Sequence, residues 1–126
     1  MKYKLLFLIL FVCQTTFGQN IPPEISSDGN QIYCPLSSQS IVTDFNIVDP
    51  DDTSIDGLFI QISEGYVQGE DILILTGEHP EVQETWDPIE GKLELKGNGG
   101  VQVLYVDLIA SVFDVKFNST NPNPTD

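Results

Sequence analysis

The chain has 126 residues, with nineteen acidic and five basic side chains and a formal net charge of −14. A surface this acidic repels phosphate groups, which argues against nucleic acid and anionic lipid as partners. The length is that of one domain with a single hydrophobic core.

The first eighteen residues have the layout of a secretory signal peptide. Two lysines stand ahead of an apolar run over 5–12, and small residues follow at Thr16 and Gly18. The run is shorter than the roughly 20 apolar residues that span a bilayer. We therefore predict a signal peptide over 1–18, cleavage after Gly18, and a secreted or cell-surface protein with no membrane insertion after cleavage.

The two cysteines allow more than one interpretation. Cys13 lies inside the apolar run, and the alternative to a signal peptide is a lipoprotein acylated at Cys13, although Val12 before it is bulkier than usual there. Cleavage would leave Cys34 without a second cysteine for an internal disulfide. Cys34 is then either a small buried residue or the partner of a cysteine on another chain. Cleavage also leaves three lysines against nineteen acids, a net charge of −16.

Residues 19–37 include two adjacent prolines and are predicted to be extended, ahead of a domain over 38–126. Five segments of that domain have the alternating or wholly apolar pattern of short strands. They lie at 40–49, 57–65, 71–77, 91–97 and 113–117. The stretches between them, such as GEHPEVQETWDPIEG, are rich in turn residues and are predicted to be loops. This pattern predicts an all-β fold, an antiparallel immunoglobulin- or cadherin-like sandwich.

One segment has helical periodicity instead. In YVDLIASVF the apolar residues Tyr105, Leu108, Ile109 and Val112 recur at helical spacing. We predict one or two helical turns over 106–111. The chain is expected to pass directly from this helix into the strand at 113.

The strand over 113–117 raises a question about its partner. It is followed by NSTNPNPT, a stretch of turn-forming residues. A strand that is followed by a turn normally pairs with a second strand after that turn, and none follows in the sequence. We expect one edge of the strand to be unpaired and its inner face to be partly uncovered. Because such edges pair with other chains, we also expect marginal stability or self-association.

Two stretches carry a family resemblance. YVDLIASVFDVKFNSTNPNPT resembles the closing half of cadherin-like and chondroitin-sulfate-proteoglycan-type repeats, and VTDFNIVDPDDTSIDGLFIQIS resembles their opening half. Together they cover most of residues 38–125. The chain is also similar to a module near the N-terminus of large proteins of gliding, type IX-secreting bacteria, which often carry C-type lectin-like domains. The resemblance implies a sandwich repeat that is truncated before its last strand. The alternative is that NPNPTD is a natural tail on a complete small sandwich.

The densest acidic cluster lies in DPDDTSIDG and comprises Asp49, Asp51, Asp52 and Asp56. Calcium takes six to eight oxygen ligands, mainly carboxylates and carbonyls, on short flexible loops. The spacing does not fit an EF-hand but suits a looser Asp-rich calcium loop. The alternative is an ordinary turn in which Asp and Pro serve the backbone geometry. Further candidate ligands are Asp28, Asp107 and Asp114.

Little in the sequence points to catalysis. His79 is the only histidine and stands on a Pro-containing loop, with no second histidine or thiolate near it, which predicts a solvated side chain. Nineteen acids make many chance pairs, and glycoside hydrolysis also needs a cleft for the sugar. We therefore predict that the protein is not an enzyme.

The predicted function is that of a spacer or adhesion module in a secreted or cell-surface multidomain protein, stiffened by calcium. Its partner would be a cell-surface protein or a glycan. The alternative is a carbohydrate-binding module that docks glycans through exposed aromatic rings such as Tyr66 or Trp86. We expect Trp86 to tuck its ring against the core, which favours the first interpretation.

Overall fold

The computed structural model describes residues 18–28 and 36–121. The predicted signal peptide, apart from Gly18, and Cys34 lie outside these residues. The described strands are β1 (Glu24–Ser26), β2 (Ser38–Val42), β3 (Asn46–Val48), β4 (Ser54–Ile55), β5 (Leu58–Gln61), β6 (Asp71–Thr76), β7 (Val82–Asp87), β8 (Lys92–Gly97), β9 (Val103–Leu104) and β10 (Asp114–Ser119). A 3-10 turn (Asn98–Gly100) and one short helix, α1 (Tyr105–Leu108), lie between β8 and β10.

Antiparallel pairing joins the described strands into four sheets. Two sheets have three strands, in the orders β2-β10-β6 and β5-β8-β7, and two have two strands, β1-β3 and β4-β9. Every pairing within the described residues is antiparallel. The prediction of an all-β antiparallel sandwich is confirmed, with the two larger sheets as its layers.

The core lies between these two layers. Leu73 and Val115 enter it from one sheet, and Leu93 and Leu95 enter it from the other. The other buried apolar residues are Val103, Leu108 and Phe113. In β8 the two leucines are buried, while Glu94 between them and Lys92 and Lys96 beside them are half-buried, which is the predicted alternation.

The predicted strand over 40–49 is divided between two sheets. β2 pairs with β10, whereas β3 pairs with β1. Between β2 and β3, Asp44 has a φ of +48°, in the left-handed region that Asp tolerates better than most residues. The prediction of a single strand was wrong because the apolar–polar alternation continues through this bend.

A strand lies where the sequence predicted a loop. β7 belongs to GEHPEVQETWDPIEG and pairs with β8 along its whole length. The alternation was missed because Glu84 occupies the position between Val82 and Trp86, the two residues of β7 that pack against the core. The carboxylate of Glu84 accepts a hydrogen bond from the N–H of Leu75 in β6, at 3.2 Å. An acidic side chain thus covers part of the edge of β6 that does not pair with β10.

β10 is the central strand of its sheet. It pairs with β6 along all six of its residues and with β2 on its other side. The expectation of an unpaired edge at 113–117 is therefore wrong. The hydrogen-bonding partner on that edge is β2, which is distant in sequence. Its inner face is covered as well, since Val115 is fully buried and Phe117 packs against the core. Self-association stays a prediction, but this strand edge does not provide its cause.

The helix is shorter than predicted. α1 spans Tyr105–Leu108 rather than 106–111. Leu108 is fully buried, but Ile109 is 56% exposed and Val112 is 80% exposed. Ile109 and Val112 do not lie on a buried helix face, because the helix ends after one turn at Leu108. No helix within 18–28 and 36–121 has the length and apolar character to cross a membrane.

Candidate functional site

Three of the four predicted calcium ligands lie together. In the loop after β3, Asp49, Asp51 and Asp52 each offer a carboxylate oxygen within 4.8 Å of the others. At calcium–oxygen distances of about 2.3–2.6 Å, two ligands of one ion lie at most about 5 Å apart, so one ion can reach all three. Asp56 is outside this cluster, and its carboxylate accepts a hydrogen bond from Nε2 of Gln102 at 2.9 Å.

Hydrogen bonds hold this acidic loop in place. Asp49 Oδ1 accepts the N–H groups of Asp51 (3.3 Å) and Asp52 (3.1 Å), the self-bonding turn for which Asp is favoured. Asp49 Oδ2 accepts the hydroxyl of Tyr105 in α1. Asp51 Oδ2 accepts the N–H of Ile21, at 2.8 Å. The loop therefore links three stretches of chain that are distant in sequence.

The contact between Asp49 and Tyr105 shifts the pKa of both groups. The hydroxyl of Tyr105 is the main cause that lowers the pKa of Asp49 below its usual value. Burial first, and the bond to Asp49 second, raise the pKa of Tyr105 to about 12. Because each shift favours the charge state that makes the hydrogen bond, both stabilise the folded protein near neutral pH.

Replacing Tyr105 with phenylalanine should change the pH dependence of stability. The lowered pKa of Asp49 contributes stability above its ordinary value of 3.8, and this contribution is lost as the pH falls through the folded pKa. The raised pKa of Tyr105 contributes stability below 10.0, lost as the pH rises through about 12. We expect the variant to melt about 5 °C lower between about pH 5 and pH 9.

Thermal melting monitored by circular dichroism from pH 2 to pH 12 measures this difference. The gap between the wild type and Tyr105→Phe should close at both ends of the range. A gap that stays constant at all pH values would show that lost packing, and not the bond to Asp49, causes the change.

The other candidate ligands lie elsewhere. The pKa of Asp28 is raised by a hydrogen bond with the side chain of Asp44 and by the charge of that neighbour. Asp107 belongs to α1, and its carbonyl oxygen lies 3.1 Å from a ring nitrogen of His79. Asp114 accepts bonds from the hydroxyls of Ser40 (3.2 Å) and Thr76 (3.0 Å). None of the three joins the acidic loop, within the residues that the structure describes.

His79 has a structural position. The expectation of a solvated histidine was wrong, because its side chain is buried at 9% exposure. Its Nδ1 lies 3.1 Å from the carbonyl oxygen of Asp107 and its Nε2 lies 3.4 Å from that of Val112. Its ring also meets the ring of Phe113 edge to face, at 5.9 Å between centroids. His79 thereby links the connection between β6 and β7 to α1 and to the segment that follows it.

Tyr66 and Trp86, the two aromatic residues proposed to bind glycans in the alternative prediction, pack against each other. Tyr66 and Trp86 meet edge to face at 6.0 Å, and the hydroxyl of Tyr66 donates to the carbonyl oxygen of Pro88 at 2.6 Å. Trp86 packs against the core, as expected. Phe59, which the sequence analysis did not single out, is instead the only described aromatic residue that is mainly exposed, at 62%. Its outward position between Leu58 and Ile60 was the available signal.

Comparison with known proteins adds no functional information. The chain matches no protein-family model, no curated protein and no solved structure. Function is therefore inferred from the residues of this chain. The kinship with cadherin-like repeats stays a prediction from the sequence.

Proposed function

We propose that the protein is a non-catalytic extracellular module, a spacer or adhesion element of a secreted or cell-surface protein, stiffened by calcium at Asp49, Asp51 and Asp52. The acidic loop carries this proposal, because its side chains tie the stretch before β1 and the helix α1 to one point. A spacer must resist bending where its loops and terminal stretches meet. The signal-peptide pattern and the resemblance to cadherin-like repeats support the extracellular setting.

The charges of the loop favour a divalent cation. Three carboxylates converge within 4.8 Å of one another, and like charges at such a separation repel. The two described ion pairs lie elsewhere, joining Lys92 to Glu90 and Lys96 to Glu94. Calcium accepts carboxylates together with carbonyls and water, so three acids suit it. Because both oxygens of Asp49 already accept hydrogen bonds, we expect weak binding, in the millimolar range of extracellular modules.

Calcium should raise the melting temperature of the protein. At a dissociation constant of about 1 mM, roughly 10 mM calcium is expected to raise it by about 5–10 °C relative to a chelator, because the ion binds only the folded loop. Differential scanning calorimetry of the protein without its first eighteen residues measures the shift. Replacing Asp52 with asparagine should reduce the shift by at least half, since it removes a ligand charge.

Asp56→Asn is the matched control for this experiment. It makes the same chemical change within the same acidic stretch but outside the cluster, so the calcium shift should be retained. Melting temperatures that are equal in calcium and in chelator would remove the calcium part of the proposal. An equal loss of the shift in the Asp52 and Asp56 variants would place the ion elsewhere than at the three clustered acids.

A further inference from the structure

A groove of about 410 Å³ lies beside the outer face of the β5-β8-β7 sheet, and none of the three clustered aspartates lines it. It is bounded by Asp56–Phe59, by Glu94 and Lys96 of β8, and by Gly100–Gln102. Its volume lies near the small end of the range for sites that bind small molecules. Neither the calcium proposal nor the core uses this space.

An exposed aromatic ring lines the groove. Phe59 projects from β5 opposite Glu94 of β8 and is 62% exposed. Val101, also at the groove, is 63% exposed. The ammonium of Lys92 lies 5.5 Å from the centre of the Phe59 ring, a cation–π contact. The groove thus offers an apolar platform formed by Phe59 and Val101.

The polar groups of the groove are held in pairs. Nε2 of Gln102 donates to Asp56 at 2.9 Å, while the hydroxyl of Ser54 donates to Oε1 of Gln102 at 3.0 Å. On the other side Lys96 is paired with Glu94 at 3.1 Å. Donors and acceptors are therefore present together at fixed positions, and two acids stand against one lysine. This lining can both donate hydrogen bonds to a ligand and accept them from it, and its excess of acid disfavours an anion.

One close backbone contact keeps the groove in shape. A Cβ on Gly97 would lie 2.4 Å from the carbonyl oxygen of Gln102, so only glycine lets the segment 98–102 fold back onto the end of β8. The N–H of Gly97 donates to the carbonyl oxygen of Val101 at 3.1 Å. The wall that carries Val101 and Gln102 is thereby preorganised.

We infer that this groove binds a short stretch of neutral polysaccharide, with Phe59 as the platform for the apolar face of a sugar ring. A sugar presents C–H groups on one face and hydroxyls that donate and accept at its rim, which matches the platform and the paired walls. An anionic polymer would meet Asp56, Glu94 and a net charge of −14. The inference rests on the proposed extracellular role. It identifies neutral polysaccharide as the class of ligand that the adhesion module would bind.

Titration of ¹⁵N-labelled protein with neutral oligosaccharides tests this inference. The probes are the hexaoses of the cello, xylo, manno, laminari and chitin series, each raised to millimolar concentration. We expect at least one of them to shift the amide signals of 56–59, 94–96 and 100–102 selectively. Phe59→Ala should weaken that binding about tenfold, whereas Phe59→Trp, which keeps a platform, should retain it.

Val112→Ala is the matched control, because it truncates an apolar side chain that is 80% exposed and does not line the groove. Its affinity should equal that of the wild type. The inference is overturned if no probe shifts the groove signals, or if Phe59→Ala binds as well as the wild type. It is also overturned if sedimentation shows a dimer that Phe59→Ala abolishes, because a second copy then occupies the groove.

The groove and the calcium loop can fail independently. Asp52→Asn should leave oligosaccharide binding unchanged, and Phe59→Ala should leave the calcium-dependent melting shift unchanged. Loss of the calcium shift alone therefore counts against the stiffened spacer, while absence of groove signals alone counts against the saccharide.

Discussion

Replacing Leu95 with alanine is expected to lower the free energy of unfolding by about 3–4 kcal/mol. Leu95 is fully buried in β8, the strand that pairs with β5 on one side and β7 on the other. Truncation removes apolar contacts and leaves a cavity between the layers, which the surrounding strands cannot close without breaking their ladders. Domains of this size are stable by about 5–15 kcal/mol, so the loss is a large fraction of the total.

Urea denaturation followed by the fluorescence of Trp86 measures this loss. Trp86 is the only tryptophan and packs against the core, so its emission reports the state of the layers. Leu36→Ala makes the same chemical change at a site that is 67% exposed and should cost less than about 0.5 kcal/mol. Similar losses for the two variants would contradict the assignment of the core.

The second large effect is expected from Gly97→Ala, at about 3 kcal/mol. The backbone of Gly97 has φ of −68° and ψ of 158°, an extended conformation that alanine adopts freely. Conformation alone would therefore make alanine slightly stabilising. The added Cβ would stand 2.4 Å from the backbone carbonyl oxygen of Gln102, however, and a backbone atom cannot move aside as a flexible side chain can.

Gly99→Ala is the informative control for this prediction. Gly99 has φ of +78°, which disfavours alanine, but an added Cβ would meet nothing within 4 Å. We expect a cost of about 1 kcal/mol there from the left-handed backbone. Denaturation curves of both variants decide the question: if Gly99→Ala is the more costly change, backbone conformation and not steric contact governs this segment.

Side-chain periodicity was sufficient to predict much of the fold. Alternation located β5, β8 and β10, and the fully buried Leu93, Leu95 and Val115 lie on the predicted inner faces. The density of acids in one turn located the cluster of three aspartates. These features are local, so a single segment of sequence contains the information that determines them.

The remaining features depend on contacts that are distant in sequence. β7 was missed because Glu84 interrupts the apolar positions of Val82 and Trp86, and it is bound by the backbone N–H of Leu75 in the other layer. The burial of His79 depends on carbonyl groups at 107 and 112. Asp56 does not join the cluster of three aspartates, and its carboxylate instead accepts a hydrogen bond from Gln102, on the other side of the β4-β9 pair. No pattern within one segment shows such partners.

The central place of β10 has a consequence for how the molecule acquires its structure. The partners of β10 begin at Ser38 and at Asp71, whereas β10 itself runs to Ser119. A chain emerging from the ribosome cannot complete that sheet until about residue 119 has been made. Closing loops of this length slows folding, so this sheet should form slowly, and only after its central strand has been made.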